Sequence, residues 1–330
     1  FDDQNWLPVI HNWYIPQADL LLVDEAQDLN RVKQEYALRA GKRLIVVGDP
    51  NQAIYGFAGA DTESMNRLQK TLGVKVPLTL TETRRCGKAI VKEAQRYVKD
   101  FKAHPGNHEG EVKSLPLGLY REGLLDGDMI LCRVNVVLVA EAMKLLRMKR
   151  KVVIRGRQFG TSLINFIKRL KASSVRDLET KMEAWATEER RKEEAKKSPS
   201  STRLENTSDR VLCIGAFAEG TSSVQEVIDK INVVFAGKQC PKCQKSYAET
   251  VETCYNCKCE LKTPEGILLS SIHRAKGLEA DNVYYLQTKL AEAASYQAKK
   301  PWQRKQEDNL RYVAITRAIH KLTYVYEPQE

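Results

Sequence analysis

Acidic side chains follow two short apolar segments of the sequence, at the points where strands of a sheet would end. Asp24 and Glu25 come directly after the run 19–23, and Asp49 follows the run 44–47. A carboxylate at a strand end can hold Mg²⁺ through its water shell, and a neighbouring glutamate can polarise the water that attacks a phosphate. The pattern favours phosphoryl-transfer chemistry, although acids at a helix N-terminus that complement the helix dipole give the same local sequence.

The elements that must position these acids form a βαβ unit. Both apolar runs consist mostly of branched residues, which is typical of buried strands in a parallel sheet. The segment between them contains a predicted helix from Val32 to Arg39, which ends before Gly41. Ligands of open α/β sheets bind at the carboxyl ends of the strands, so we expect both acidic groups at one edge of the sheet.

A second α/β pattern follows and is interrupted. Strands are predicted at Pro77–Leu80, Met129–Arg133 and Lys151–Ile154, helices at Lys88–Lys99 and Val137–Met148, and strand–helix–strand character again from Gly266 onward. Between the two parts lie a charged segment, 176–197, and a segment rich in Ser, Pro and Thr, 198–208. We interpret the first as a solvated helix and the second as a linker, which indicates one α/β domain with an insertion.

The segment 48–57 reads GDPNQAIYGF and begins where the second strand ends. A glutamine just past a strand end, here Gln52, can sense the γ-phosphate of a nucleotide. The aromatic side chains of Tyr55 and Phe57 can stack on nucleic-acid bases or support a surface that does so.

Together with DEAQD at 24–28, these residues begin a series of motifs that continues in order along the chain. LTETRRC stands at 80–86, SSIHRAKGLE at 270–279 and EDNLRYVAITRA at 307–318. The series resembles motifs II to VI of the superfamily 1A DNA helicases, the UvrD/PcrA/Rep group. The resemblance covers most of 19–92, 128–160 and 266–326, and it implies two RecA-like α/β domains.

The resemblance also implies a role for each matching residue. Asp24 would hold Mg²⁺ and Glu25 would activate water, while Gln52, Arg85 and Arg317 would contact the γ-phosphate of ATP. ATP and Mg²⁺ would bind in the cleft between the two domains, and hydrolysis would drive 3′ to 5′ movement along single-stranded and forked DNA. Further expected contacts are Arg84 and Glu279 with the nucleotide and Tyr55, Phe57, His273 and Lys276 with DNA. Leu310, Val313, Ala314 and Arg317 recur at helical spacing, so we expect one helix to carry them.

The sequence departs from the family pattern at several positions. Ala58 follows Phe57 where the family has an arginine, Arg84 stands where a tyrosine is common, and Ser271 replaces a threonine. No Gly-x-x-x-x-Gly-Lys-Ser/Thr phosphate loop occurs in the 330 residues. We therefore expect the chain to be truncated at its N-terminus and inactive by itself. A non-catalytic DNA-binding or regulatory relative that lost the loop is the alternative, and an RNA helicase is a further one.

Two Cys-x-x-Cys pairs predict a metal site. Cys240 and Cys243 form the first pair, and Cys254 and Cys257 form the second. Two such hairpins can place four thiolates tetrahedrally around a structural Zn²⁺. Cys259 is an alternative to Cys257 or a free thiol. The single residues Cys86, Cys132 and Cys213 are predicted to be small core residues.

Charge and composition set the broad class. The formal net charge is +11, which favours a polyanionic partner such as nucleic acid. Paired cysteines indicate a reducing intracellular compartment, and the sequence lacks the long apolar run of a membrane span. The predicted domains are 1–76 for the first RecA-like part and 77–160 with 263–330 for the second. An insertion, 161–262, would carry a zinc ribbon at 238–261.

Overall fold

The chain divides into two compact units. The computed structural model describes residues 2–56, 63–196, 201–235, 238–240, 242–243, 246–247, 253–261, 266–296, 298 and 300–328. The first unit comprises Phe1–Arg85, Val91–Asn107 and Ala298–Thr316, and the second comprises Cys86–Ile90, His108–Gln297 and Arg317–Glu330.

The predicted βαβ unit is confirmed at the start of the first unit, but the prediction that its strands are buried is wrong. Leu22 and Ile45 are 68% and 51% exposed, because in the described part of the chain their sheet has two strands. Strands β1 (Leu21–Val23) and β2 (Leu44–Val46) pair in parallel, with Leu21 opposite Leu44 and Val23 opposite Val46. Helix α2 (Arg31–Ala40) connects them. The Asn30 side chain caps this helix by accepting from the Lys33 N–H at 2.9 Å, so the helix begins where a polar cap satisfies a free donor.

Further helices and strands complete the first unit. A strand was expected at Pro77–Leu80, but this segment forms none, and the next strand has two residues. No described strand pairs with this segment, and Leu78 and Leu80 are fully exposed, so this prediction is wrong. The elements are α1 (Asp2–Ile10), α3 (Ser64–Thr71), β3 (Glu82–Thr83), β4 (Lys102–Ala103) and α12 (Pro301–Ile315). Helix α4 (Lys88–Ala94), shorter than predicted, begins in the second unit and ends in the first.

In the described part of the chain, the second unit is built on a six-stranded sheet in which every strand pair is parallel. The strand order is β5-β12-β11-β6-β10-β7. All four residues of β6 are buried, as expected for a central strand covered on both faces. The strands are β5 (Glu111–Pro116), β6 (Met129–Cys132), β7 (Val152–Ile154), β10 (Ile267–Ser271), β11 (Ala280–Gln287) and β12 (Ala318–Tyr326).

The helices of the predicted insertion share a hydrophobic core with this sheet. Leu178, Phe217 and Ile231 belong to the same buried cluster as Ile130 and Leu269 of the sheet. The described α-helices of the second unit, within the predicted insertion and outside it, are α5 (Asn135–Arg147), α6 (Arg157–Leu170), α7 (Val175–Glu194), α8 (Ser201–Ala218), α9 (Val224–Val234), α10 (Ile272–Ala275) and α11 (Lys289–Tyr296).

The predicted linker 198–208 is wrong from residue 201 onward, because α8 begins there. Buried Cys213, Ile214 and Phe217 hold the later turns of α8 in the core, and the polar first turns continue the same helix. Residues 198–200 lie outside the described residues.

The two-stranded antiparallel pair β8 (Lys238–Gln239) and β9 (Ser246–Tyr247) begins the cysteine-rich segment. None of the described helices is both long and apolar enough to cross a membrane.

Candidate functional site

The two acids of the first unit lie at the carboxyl end of β1 and are exposed. The Asp24 carboxylate accepts a hydrogen bond from the Glu25 N–H at 2.8 Å. Glu25 has a φ of 52° and a ψ of 36°, the left-handed region. A residue with a Cβ is held there at a cost of about 1–3 kcal/mol, and such strain is common at functional sites. The backbone thus directs two neighbouring carboxylates toward solvent at the strand end.

The buried side chain of Gln27 connects the two acidic strand ends. Its amide group donates to the Glu25 carboxylate, and its carbonyl oxygen accepts from the Asp49 N–H at 3.0 Å. Gln27 therefore fixes Glu25 relative to the loop after β2. Sequence reasoning did not single out Gln27, although it lies within the acidic motif.

Gly48 has no room for a side chain at this junction. A Cβ there would lie 2.4 Å from the Gln27 Oε1 and 3.1 Å from the Ala26 backbone nitrogen. The close approach of the two strand ends therefore requires glycine at this position.

Asp49 organises the loop that carries Gln52. One Asp49 carboxylate oxygen accepts from the Asn51 N–H at 2.9 Å, and the other accepts from the Gln52 side-chain amide at 3.0 Å. This leaves the Gln52 carbonyl oxygen and the second N–H of that amide not bound to Asp49. Tyr55 is partly exposed, and Phe57 lies outside the described residues.

Helix α12 is attached to the same loop within the first unit. The buried Asn309 side chain donates to the carbonyl oxygens of Pro50 at 3.2 Å and Ala53 at 2.9 Å. Lys305 also donates to the Asn51 side chain at 3.1 Å. The helix of motif VI thereby holds the loop of motif III, a link that sequence reasoning missed because Asn309 gives no signal by itself.

The predicted arginines occupy different surroundings. Arg84 is exposed and Arg85 is partly buried, and both belong to the first unit. Arg317 belongs to the second unit, is 2% exposed, and donates to the Leu278 carbonyl oxygen at 3.1 Å. The expectation that Arg317 lies on the motif VI helix is wrong, since α12 ends at Ile315 and a turn follows. The apolar face of that helix is confirmed by the burial of Leu310, Val313 and Ala314.

Three cations follow three adjacent strands of the second unit, and we call them the basic edge. Arg133 follows β6, Arg155 follows β7, and Arg274 lies in α10 directly after β10. Because the strands are parallel, their carboxyl ends meet at one edge of the sheet. Sequence reasoning predicted contacts for the neighbouring Lys276 and His273 and missed Arg274.

The Arg274 side chain is packed into the backbone after β7. Its Nη1 donates to the Arg155 carbonyl oxygen at 3.4 Å, and its guanidinium lies 5.2 Å from the Phe159 ring centroid. Gly156 has a φ of +127°, and a Cβ at this position would lie 1.9 Å from the Arg274 Nη1. Because Gly156 has no side chain, the Arg274 guanidinium can occupy the space next to its Cα.

His273 is neutral at physiological pH. Burial of the imidazole, together with the charges of Arg133 and Arg274, lowers its pKa to about 3. It therefore adds no positive charge to the basic edge. Partly exposed Lys276 and exposed Glu279 follow it in motif V.

Four thiols of the cysteine-rich segment converge. The Sγ atoms of Cys240, Cys243, Cys254 and Cys257 all lie within 4.8 Å of one another. In each pair the second cysteine's N–H donates to the first cysteine's Sγ at 3.3 Å. Such a set of thiolates fits tetrahedral Zn²⁺, whose Zn–S bonds are about 2.3 Å. Cys259 also lies near, with its Sγ 3.4 Å from that of Cys240.

The remaining cysteines are core residues, as predicted. Cys86, Cys132 and Cys213 are fully buried. Burial raises the pKa of the Cys132 thiol to about 12 and that of Cys213 well above its ordinary value. Both thiols are therefore protonated and unsuited to nucleophilic or metal chemistry.

Comparison with known proteins identifies relatives of part of this chain. DNA helicase II of Haemophilus influenzae is 30% identical over 119 residues, which cover 34% of this chain and 16% of the relative. ATP-dependent DNA helicase PcrA of Staphylococcus aureus is 31% identical over 99 residues, covering 28% and 13%. RecBCD enzyme subunit RecB of Mycobacterium tuberculosis is 36% identical over 84 residues, covering 24% and 8%. The chain thus matches less than a fifth of each relative's length.

Two family models match the chain in the order that its motifs predict. The UvrD/REP helicase N-terminal domain matches residues 8–73. The UvrD-like helicase C-terminal domain matches residues 125–329, more than half of the chain. The chain belongs to the UvrD-like helicase family.

Proposed function

We propose that this chain is part of an ATP-dependent DNA helicase that moves 3′ to 5′ on single-stranded DNA and couples hydrolysis to strand separation. The observation that carries the proposal is the network centred on Gln27. It holds an exposed glutamate beside an exposed aspartate and ties both to the Asp49–Gln52 loop. A protein that only bound DNA would have no use for a strained, solvent-directed glutamate at this position.

Each group of the network would act on a different part of the reaction. Asp24 would hold Mg²⁺ through its carboxylate, and Glu25 would accept a proton from the attacking water. Gln52 would donate to the γ-phosphate from its side-chain NH2 group, through the N–H that Asp49 does not accept or by exchanging Asp49 for the phosphate. Arg85 and Arg317 would supply positive charge where charge builds up in the transition state, Arg84 would stack on adenine, and Glu279 would contact the sugar.

The basic edge would contact the DNA backbone. Arg133, Arg155, Arg274 and Lys276 supply cations at the carboxyl ends of the strands, and the +11 net charge supports a polyanionic substrate. Neutral His273 would donate or accept a hydrogen bond, and Tyr55 and Phe57 would stack on bases. We further propose two RecA-like domains with the predicted boundaries, which differ from the two compact units in the placement of 77–85, 91–107 and 298–316. We also propose one structural Zn²⁺ on Cys240, Cys243, Cys254 and Cys257.

A strand-displacement assay tests the direction of movement. The longest product of the reading frame that contains this chain should unwind a duplex with a 3′ single-stranded tail, in the presence of ATP and Mg²⁺. It should not unwind the matched duplex with a 5′ tail. Preference for the 5′ tail would contradict the direction, and DNA binding without DNA-stimulated hydrolysis would favour the non-catalytic alternative.

A further inference from the structure

A cluster of two arginines and two aromatic rings lies on helices α6, α7 and α8, outside every motif described above. It consists of Phe166 and Arg169 on α6, Trp185 on α7 and Arg210 on α8, and we call it the two-arginine cluster. The guanidinium carbon of Arg169 lies 5.3 Å from the Phe166 ring centroid, and that of Arg210 lies 5.4 Å from the same ring. Arg210 also lies 5.7 Å from the Trp185 ring centroid. Two like charges are thus gathered around one buried ring.

The two cations have no carboxylate partner among the residues that the structure describes. Neighbouring acids are engaged elsewhere. Glu188 pairs with Arg191 on α7, and Asp209, the residue before Arg210, accepts from the Val136 N–H and the Asn135 side chain. Burial and the nearby charge of Arg169 lower the pKa of Arg210. The positive charge of the cluster is therefore not neutralised by the described side chains around it.

The exposure of the four residues differs in a way that suits a ligand. Phe166 is 2% exposed, and the guanidinium groups of Arg169 and Arg210 both lie near its ring. Arg169 is exposed, and Arg210 and Trp185 are partly exposed. Stacking on aromatic rings fixes the guanidinium planes before a ligand arrives and removes part of their water, which strengthens hydrogen bonds to an anion.

We propose that the two-arginine cluster binds the phosphate backbone of DNA, as a second contact beside the basic edge. The proposal rests on the proposed function for the identity of the polyanion. Planar, paired guanidinium groups match phosphate oxygens, and a phosphate would neutralise the charge that the described neighbours leave unpaired. A purely structural packing would account for Arg210, which lies near both the Phe166 and the Trp185 ring, but it would not require the exposed Arg169 near the same Phe166 ring.

The test measures DNA affinity of the 330-residue chain by fluorescence anisotropy, with a labelled partial duplex that carries a single-stranded tail. Arg169→Gln removes one cation at an exposed position, and Arg210→Lys keeps the charge but removes the planar, stacked group. Arg191→Gln is the matched control, because it removes the same charge from α7 at a residue already paired with Glu188. Circular dichroism confirms that each variant is folded.

We expect Arg169→Gln and Arg210→Lys each to weaken binding about three- to tenfold, the effect of one lost polar contact. Arg169→Gln should also reduce the slope of log affinity against log salt by about 1. Arg191→Gln should stay within about twofold of the wild type.

Arg274→Gln at the basic edge separates this inference from the proposed function. If Arg274→Gln weakens binding while Arg169→Gln and Arg191→Gln behave alike, the two-arginine cluster is a structural stack and the inference is overturned alone. If the unmodified chain binds no DNA at low salt, both proposals are overturned.

Discussion

At the scale of single residues, the acidic strand end of the first unit depends on contacts that the motif letters do not reveal. DEAQD indicates two carboxylates, but the left-handed backbone of Glu25 and the bridging position of Gln27 come from the structure. Gly48 is needed because Gln27 fills the space where its Cβ would stand. Residues of these motifs therefore fix the positions of the two carboxylates as well as supplying them.

Replacing Glu25 tests the proposed catalytic role. In the longest product of the reading frame, Glu25→Gln should lower DNA-stimulated ATP hydrolysis about 10²- to 10⁴-fold, the usual contribution of a general base. DNA affinity should stay unchanged, since Glu25 lies outside the basic edge. Steady-state hydrolysis and anisotropy measure the two effects. A decrease of less than about tenfold would show that another group activates the water.

A second residue-scale prediction concerns the pH dependence of stability. The pKa of His273 is lowered to about 3 in the folded chain, below its ordinary value of 6.5. The unfolded chain therefore binds a proton first, so the stabilisation by neutral His273 is complete above about pH 6.5 and is lost as the pH falls toward 3. Urea unfolding measures the free energy of unfolding at about pH 7.5 and at about pH 5.5. The decrease on acidification should be smaller for His273→Gln than for the wild type.

The control for that experiment is His11→Gln, because His11 is exposed. It should lose as much stability on acidification as the wild type does. Equal pH dependence in all three proteins would mean that the His273 imidazole is accessible to protons in the folded chain.

At the scale of elements, the apolar pattern predicted a strand correctly where a second strand lies beside it to pair with. The runs 19–23 and 44–47 became paired strands because each contributes branched residues to the same parallel ladder. The run 77–80 has a similar composition, but the pattern cannot say whether a neighbouring strand exists, and Leu78 and Leu80 are exposed. The polar start of α8 was mistaken for a linker because Ser and Thr are common in both settings.

The apolar pattern also does not predict the residue at which a helix ends. The spacing of Leu310, Val313 and Ala314 predicted a helix correctly, but it extended that helix past Ile315 to Arg317. Arg317 is instead buried against the Leu278 carbonyl oxygen. A periodic pattern marks a face of a helix and gives no signal for the residue at which the backbone turns.

The cysteine-rich segment yields the element-scale prediction. The chain purified under reducing conditions should contain about one zinc ion, and Cys243→Ser should lose most of it, because tetrahedral sites need four ligands. Elemental analysis measures the metal. The thermal unfolding of the chain outside the cysteine-rich segment should change little in Cys243→Ser, since metal binding and folding are coupled locally. Cys86→Ser, at a buried cysteine outside the cluster, is the control and should retain the metal. A wild-type zinc content near zero would contradict the site.

At the scale of the whole molecule, the helices of the predicted insertion are part of the second unit's core. Phe217 of α8 and Leu178 of α7 are buried in the same cluster as strand residues. Asp209 of α8 also caps the N-terminus of α5, where it accepts from the Val136 N–H at 2.9 Å. Arg133 lies just before that N-terminus, so α8 helps to position the segment that begins at the basic edge.

The last prediction concerns the 330 residues as a separate protein: they should hydrolyse essentially no ATP, with or without single-stranded DNA. Phosphoryl transfer depends mainly on positioning and on charge stabilisation. The Gln27 network supplies carboxylates and Gln52, but no Gly-x-x-x-x-Gly-Lys-Ser/Thr segment occurs in the sequence to hold the phosphates with backbone N–H groups and a lysine. Without that cradle, the γ-phosphorus would not be held in line with the water near Glu25.

DNA binding should survive in the same sample and weaken steeply with salt, because the +11 charge and the basic edge remain. A steady-state assay should compare this chain with the longest product of the reading frame, at equal concentration and with the same single-stranded DNA. Comparable DNA-stimulated turnover in both would mean that the phosphates are held by residues within the 330, and the roles assigned to Asp24, Glu25 and Gln52 would then need to be reassigned around that site.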